Sequence, residues 1–171
     1  MKLLTCLLLF VSLYTHAQET ETISWDDATI NSKLALTINK QEFDRIYKKA
    51  DSIVTPKYED ICGTDADSNF QYVYYNGLQY EMDNRIMNFR QLKLSKKTGM
   101  FFTYKGKRYD HTSKPEDFKI QFPNATAAIS ESDDKAYKII KLLPAEAGED
   151  SEWLFYFKNG YLTLIECKFP C

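Results

Sequence analysis

The chain has 171 residues, is 15% aromatic and 27% charged, and carries a formal net charge of −2. That length suits one domain, or two small halves sharing a core. So balanced a charge offers no basic footprint for nucleic acid or an anionic membrane, and six glycines leave little material for phosphate-cradling loops.

Residues 1–17 read as an export signal. Met1-Lys2 is a short positive start, Leu3 to Tyr14 an apolar run, and Thr15-His16-Ala17 a small-residue end, which predicts cleavage before Gln18. The run is too short for a membrane span, and no other stretch of about 18 apolar residues exists. The expected destination is the periplasm or the extracellular space. Beyond the signal, residues 18–32 read as a loose N-terminal arm with Trp25 docking on the body, 33–97 as a first α+β unit, and 98–171 as a second, the whole forming one unit.

Lys33 to Ile38 predicts a short strand. Asn39 is a good helix N-cap and Glu42 sits three residues on, as in a capping box. Phe43, Ile46, Tyr47 and Ala50 follow as one apolar stripe of a helix, with Pro56 marking the end of that element. Tyr58 to Asn69 reads as a polar, acidic loop. Strands are expected at Phe70 to Tyr75, Leu78 to Met82 and Arg85 to Leu94. Asn76-Gly77 forms the first turn, since both positions of a type I′ turn need positive φ, and the second lies around Asp83-Asn84.

Met100 to Tyr104 and Lys107 to Asp110 flank Lys105-Gly106 as a hairpin. Ser113 then caps a second helix, Glu116 closes its box, Pro115 sits in its first turn and Pro123 stops it after about two turns. A strand is expected at Ala136 to Leu143. An acidic loop, Pro144 to Glu152, leads to the strongest hairpin signal, in the stretch Trp153 to Cys171 around Asn159-Gly160.

Two landmarks recur in order. Thr37 to Phe43 matches Thr112 to Phe118 in spacing, and Tyr72-x-Tyr74-x-Asn76-Gly77 matches Phe155-x-Phe157-x-Asn159-Gly160. They predict a duplicated α-β-β(-β) unit and an α+β fold, an antiparallel sheet with short helices packed on one face. On Thr37 to Tyr47 with Tyr72 to Gly77, and Thr112 to Phe122 with Phe155 to Gly160, the chain resembles tandem-repeat helix-plus-sheet envelope proteins of the β-lactamase-inhibitor-protein type. The resemblance implies a binding or inhibitory protein whose exposed sheet face and loops engage another protein.

Chemistry is sparse. After the signal the one histidine is His111; a catalytic role needs a nucleophile and an orienting acid, for which Ser113, Asp110 or a thiol are the available groups. Asp65, Asp67 and Asn69 open like a calcium loop, but Phe70 and Asn76 stand where glycine and glutamate are needed. Asn124-Ala125-Thr126 fits a glycosylation sequon. Cys62, Cys167 and Cys171 allow one disulfide and leave one thiol over. A bridge from Cys62 to Cys167 or Cys171 closes about 100 residues, worth on the order of 4 kcal/mol in the chain-entropy model.

The expectation is therefore an exported, non-catalytic protein-binding module without cofactor or metal: an inhibitor, an immunity protein or an envelope-assembly accessory. The alternatives are a structural surface or matrix protein, and a small secreted hydrolase. The partner is another protein or a second copy of the chain. Tyr58, Tyr75, Tyr80, Tyr104 and Tyr109 are candidate interface anchors. Glu149 and Asp150, in a cluster with Glu146 and Glu152, form a candidate acidic rim. Lys93, Lys96, Lys97, Lys105, Lys107 and Arg108 form a basic region around the junction.

Overall fold

The computed structural model describes residues 21–57, 71–145 and 150–169. The export signal, the loop holding Tyr58, Cys62 and the calcium-like run, Glu146 and Glu149 of the acidic cluster, and Cys171 lie outside those residues.

Tight turns set the register of the molecule. Asn76-Gly77, Lys105-Gly106 and Asn159-Gly160 all have positive φ at both positions, the type I′ geometry that matches strand twist. A Cβ at Gly77 would sit 2.8 Å from the Lys93 carbonyl oxygen, so only glycine fits there. A fourth turn uses Asn84-Arg85, both at positive φ, one residue beyond the expected Asp83-Asn84.

These turns link β6 (Gln71–Tyr75) to β7 (Leu78–Asp83), β7 to β8 (Ile86–Lys93), β9 (Phe102–Tyr104) to β10 (Lys107–Tyr109), and β13 (Glu152–Lys158) to β14 (Tyr161–Lys168). The remaining strands are β1 (Thr22–Ile23), β2 (Ala28–Ile30), β3 (Leu34–Ala35), β4 (Thr37–Asn39), β5 (Ser52–Val54), β11 (Ser130–Glu131) and β12 (Lys138–Pro144).

The large sheet runs β1-β12-β13-β14-β8-β7-β6-β5, with β11 also on β12 and β4 also on β8. Every pairing is antiparallel except β1 with β12. It consists of two four-strand meanders, β5 to β8 and β11 to β14, whose last strands meet at Leu164–Lys93, Ile165–Leu92 and Glu166–Gln91. A small sheet, β10-β9-β2-β3, joins the chain before the first meander to the chain before the second.

One face of the large sheet is covered. Helix α1 (Lys40–Tyr47) starts at Asn39, whose Oδ1 accepts the Gln41 amide at 2.9 Å, and sets Phe43 edge-on against Tyr80 at 6.1 Å. Helix α2 (Pro115–Phe118) sets Phe118 against Phe155 and Phe157 at 5.0 and 5.4 Å. The small sheet brings Phe102 within 5.7 Å of Trp153, which also stacks on Phe89. The result is one continuous apolar core, and α+β architecture with the helices on a single face.

Three local expectations are corrected. The arm is not loose: Ile23, Ala28 and Ile30 are at most 1% exposed, Trp25 lies 5.7 Å from Trp153, and Glu21 accepts the amides of Asn124 and Ala125. The box of α2 is closed by Asp117, which accepts the Lys114 amide at 2.8 Å, while the Ser113 hydroxyl accepts the Asp110 amide. Pro123 starts a helix, α3 (Pro123–Ala127), rather than only ending one, because a first helical position needs no amide donor.

Candidate recognition face

Strand alternation divides each strand of the large sheet between its two faces. On β7, Leu78, Tyr80 and Met82 are buried and Gln79 and Glu81 face the other way. On β6, Val73 is buried and Tyr72 and Tyr74 face with Gln79 and Glu81. Among the described residues, no helix or second sheet packs on that face.

One row crosses it in register: Tyr74, Gln79, Gln91, Glu166, Leu154 and Lys141, each opposite the next. A second row sets Tyr72 opposite Glu81, Glu81 opposite Asn88 and Asn88 opposite Thr37. Between the rows β8 bulges. Gln79 pairs with Gln91 and Tyr80 with Phe89, leaving Arg90 as the extra residue. The bulge turns Arg90 and Gln91 together onto the open face while Phe89 and Leu92 stay in the core, the usual way a bulge re-aims a side chain.

Arg90 is the centre of this face. Its Nη2 is ion-paired with Glu81, and the Phe169 ring lies 4.0 Å from its guanidinium. Burial pushes the guanidinium below its ordinary pKa, partly countered by Cys167 and Tyr72. Nε and Nη1 have no hydrogen-bond partner among the described residues. Around it, Gln91 donates to Gln79, and the Tyr156 hydroxyl donates to Glu166 at 2.7 Å. Burial raises the pKa of Tyr156, and its bond to Glu166 adds to the rise. Two shallow hollows meet here and share Arg90 and Phe169; one is flanked by Gln79 and Gln91, the other by Glu81 and Asn88. Both are open grooves, unlike the enclosed pockets that bury a cofactor.

The described tyrosines among those singled out by sequence, Tyr75, Tyr80, Tyr104 and Tyr109, lie elsewhere. Tyr80, Tyr104 and Tyr109 are at most 3% exposed. Their hydroxyls donate to the Ala35 carbonyl, the Thr22 carbonyl and Gln121 respectively, so they are core residues and not interface anchors. Tyr75 is half-buried and stacks on Tyr47 at 4.3 Å on the helix side. Asp150 is exposed. Cys167 is 2% exposed on β14; the proposed pairings with Cys62 or Cys171 involve residues outside the described set.

Three members of the basic region are engaged locally. Lys105 faces Asp27 at 3.8 Å, Arg108 bonds Asp110 at 3.0 Å, and Lys107 donates to the Asp117 carbonyl. Beside His111, Asp110 is held by its own turn. Burial raises its pKa, but the amide and hydroxyl of Thr112 and the Arg108 guanidinium lower it more, and the net shift is downward. Ser113 is 7% exposed and its hydroxyl accepts the Asp110 amide, so this run forms a hydrogen-bonded turn. Among the described residues no three His, Cys, Asp or Glu side chains gather as metal ligands, and no helix is long and apolar enough to cross a membrane.

The residues that sequence reasoning missed are Tyr74, Gln79, Arg90, Gln91 and Glu166. Parity was the available signal: Gln79 and Glu81 alternate with Leu78, Tyr80 and Met82, which places Tyr80 inside. The bulge at Arg90 has no such signature. No family model, curated protein or solved structure matches this chain.

Proposed function

We propose that the chain is an exported, non-catalytic recognition protein that binds another protein through the open face of its large sheet. The observation that carries this reading is Arg90. A bulge aims it at the middle of a face on which no described helix or second sheet packs, Glu81 and Phe169 lie against it, and its remaining donors are unoccupied among the described residues. Arginine and tyrosine are the residue types that dominate binding energy at interfaces, and pre-fixed side chains lose less entropy on binding.

The export reading rests on Met1 to Ala17, and a single disulfide through Cys62 belongs to the same reading of an oxidising compartment. The helix-then-four-strand order that occurs twice supports a duplicated origin.

The test is affinity capture from the native envelope and secreted fractions, using chain from Gln18 onward. The expected result is one stoichiometric partner, lost with Arg90→Ala and kept with Lys105→Ala at the far hairpin tip. Nothing retained, or a partner indifferent to Arg90, would overturn the reading.

A further inference from the structure

We infer that one end of the molecule is a docking surface for an anionic lipid bilayer, formed by three lysine-bearing turns. This is a second surface, and it does not depend on the reading of the face around Arg90.

The formal net charge of −2 conceals an uneven distribution. Lys93 closes β8, and its amide donates to the Gly77 carbonyl at 2.8 Å. Lys96 and Lys97 stand in the next turn, which the Ser95 hydroxyl closes by accepting the Thr98 amide at 3.1 Å. That turn is tied to the first Asn-Gly hairpin, because the Asn76 side chain donates to the Thr98 carbonyl at 2.8 Å. Asp51 Oδ2 accepts the Asn76 amide at 2.6 Å and Tyr47 stacks on Tyr75, which brings in the end of α1 with Lys48 and Lys49. The Tyr47 hydroxyl accepts from the Asn31 side chain at 2.9 Å, which brings in the turn between β2 and β3 with Lys33.

All six lysines are exposed, and none has an ion-pair partner among the described residues. Asp51 is the carboxylate set among them, and its Oδ2 is taken by the Asn76 amide. One turn back on α1, Arg45 is exposed and Asp44 is ion-paired with Lys40. Six ammonium groups therefore face one carboxylate. Toward the Asn159-Gly160 turn the excess ends, since Lys114, Lys135, Lys138 and Lys158 are matched by Glu116, Glu131, Asp133 and Asp134. The chain leaves the described residues at Lys57 and returns at Gln71, both at the opposite end of β5 and β6.

Residue type selects the partner. Lysine is depleted at the centres of protein–protein interfaces, where aromatic side chains and arginine dominate. Surfaces for single-stranded nucleic acid add rings on which bases stack. No exposed aromatic or large apolar side chain lies in these three turns. A lysine is a compact charge on a flexible stem and needs no fixed geometry in its partner. A layer of anionic headgroups meets that description, offering many mobile negative charges in one plane. Each lysine held near it strengthens binding about fivefold. With no inserted anchor, the contact is reversible and screened by salt.

The experiment is co-sedimentation of the chain from Gln18 with vesicles of phosphatidylcholine alone, and of phosphatidylcholine with about 30% phosphatidylglycerol, at about 50 and about 500 mM salt. The expected result is binding to the anionic vesicles only, lost at the higher salt. Lys96→Gln combined with Lys97→Gln should weaken it about 25-fold. Lys105→Gln combined with Lys119→Gln removes equal charge outside the patch and should change it by less than about twofold. Lys96 and Lys97 are exposed in a turn, so the first variant keeps the fold. No binding to anionic vesicles at the lower salt, or equal losses in the two variants, would overturn the inference. So would binding to heparin or DNA that depends on Lys96 and Lys97 but has no counterpart on vesicles, which would assign the patch to a different polyanion. Arg90→Ala should leave vesicle binding unchanged, so a failure of either surface is read separately from the other.

Discussion

At the scale of single residues, position on a strand decides what a tyrosine does. Tyr80 is fully buried, and its hydroxyl donates to the Ala35 carbonyl at 2.7 Å. Burial drives its phenol pKa strongly upward, with the nearby Tyr47 adding to the rise. A raised folded-state value means stability present below the unfolded pKa, near 10 for tyrosine, and lost as pH climbs above it. Tyr80→Phe is therefore expected to cost about 1–2 kcal/mol at neutral pH, through the orphaned carbonyl and the missing bond. The gap should narrow and then reverse as pH rises above about 10, because the variant has no phenol to ionise. Denaturant midpoints of both proteins between neutral and alkaline pH measure this. A constant gap across the range would show that the Tyr80 phenol is not held neutral by the core.

At the scale of elements, α2 shows why some structure was legible in the sequence and some was not. Four residues cannot sustain a helix by propensity, since nucleation alone is unfavourable. Here tertiary contact does it: Phe118 is buried between Tyr109 at 4.3 Å and Phe155 at 5.0 Å. Phe118→Ala is expected to cost about 3–5 kcal/mol, whereas Ile120→Ala, two residues on and 84% exposed, should change stability by less than about 0.5 kcal/mol. Urea melts of the two variants check the contrast, and equal losses would mean that α2 is held by something other than Phe118. The tight hairpins were readable because Asn76-Gly77, Lys105-Gly106 and Asn159-Gly160 encode their φ values locally. The arm and Pro123 were misread for the opposite reason. Strands as short as β1 and β2 have too few residues to show a period, and a proline serves equally as the end of one helix or the first residue of the next. The face around Arg90 depends on a bulge fixed by pairing between β7 and β8, so no stretch of sequence announces it.

At the scale of the molecule, a repeated order of elements coexists with a single core. The stretch before each helix lies on the first residues of the last strand of its meander: Thr37–Asn39 pairs with Ile86–Asn88, and the Leu162 amide donates to the Ser113 carbonyl. Phe43 and Phe118, which follow Thr37 and Thr112 at the same spacing, are both buried. The two Asn-Gly hairpins do not correspond in the same way. Asn76-Gly77 joins the second and third strands of its meander, and Asn159-Gly160 joins the third and fourth of the other.

Symmetry of order does not make the halves independent. The small sheet is built from both, since β2 pairs with β9 at Ala28–Tyr104 and Ile30–Phe102, and β14 completes the outer side of β8. A fragment of residues 18–97 would expose Phe89 and the unpaired side of β8, and one of residues 98–171 would expose Trp153 and Phe155 without Trp25 or Phe89 above them. Neither buries enough apolar surface to offset its chain entropy. The expected outcome is that each fragment alone gives an unstructured amide spectrum, that an equimolar mixture recovers dispersed resonances, and that the intact chain melts in one transition with equal calorimetric and van't Hoff enthalpies. A fragment that folded alone, or two separate transitions in the intact chain, would show that the meanders are autonomous domains and that the shared core contributes little to holding the open face in shape.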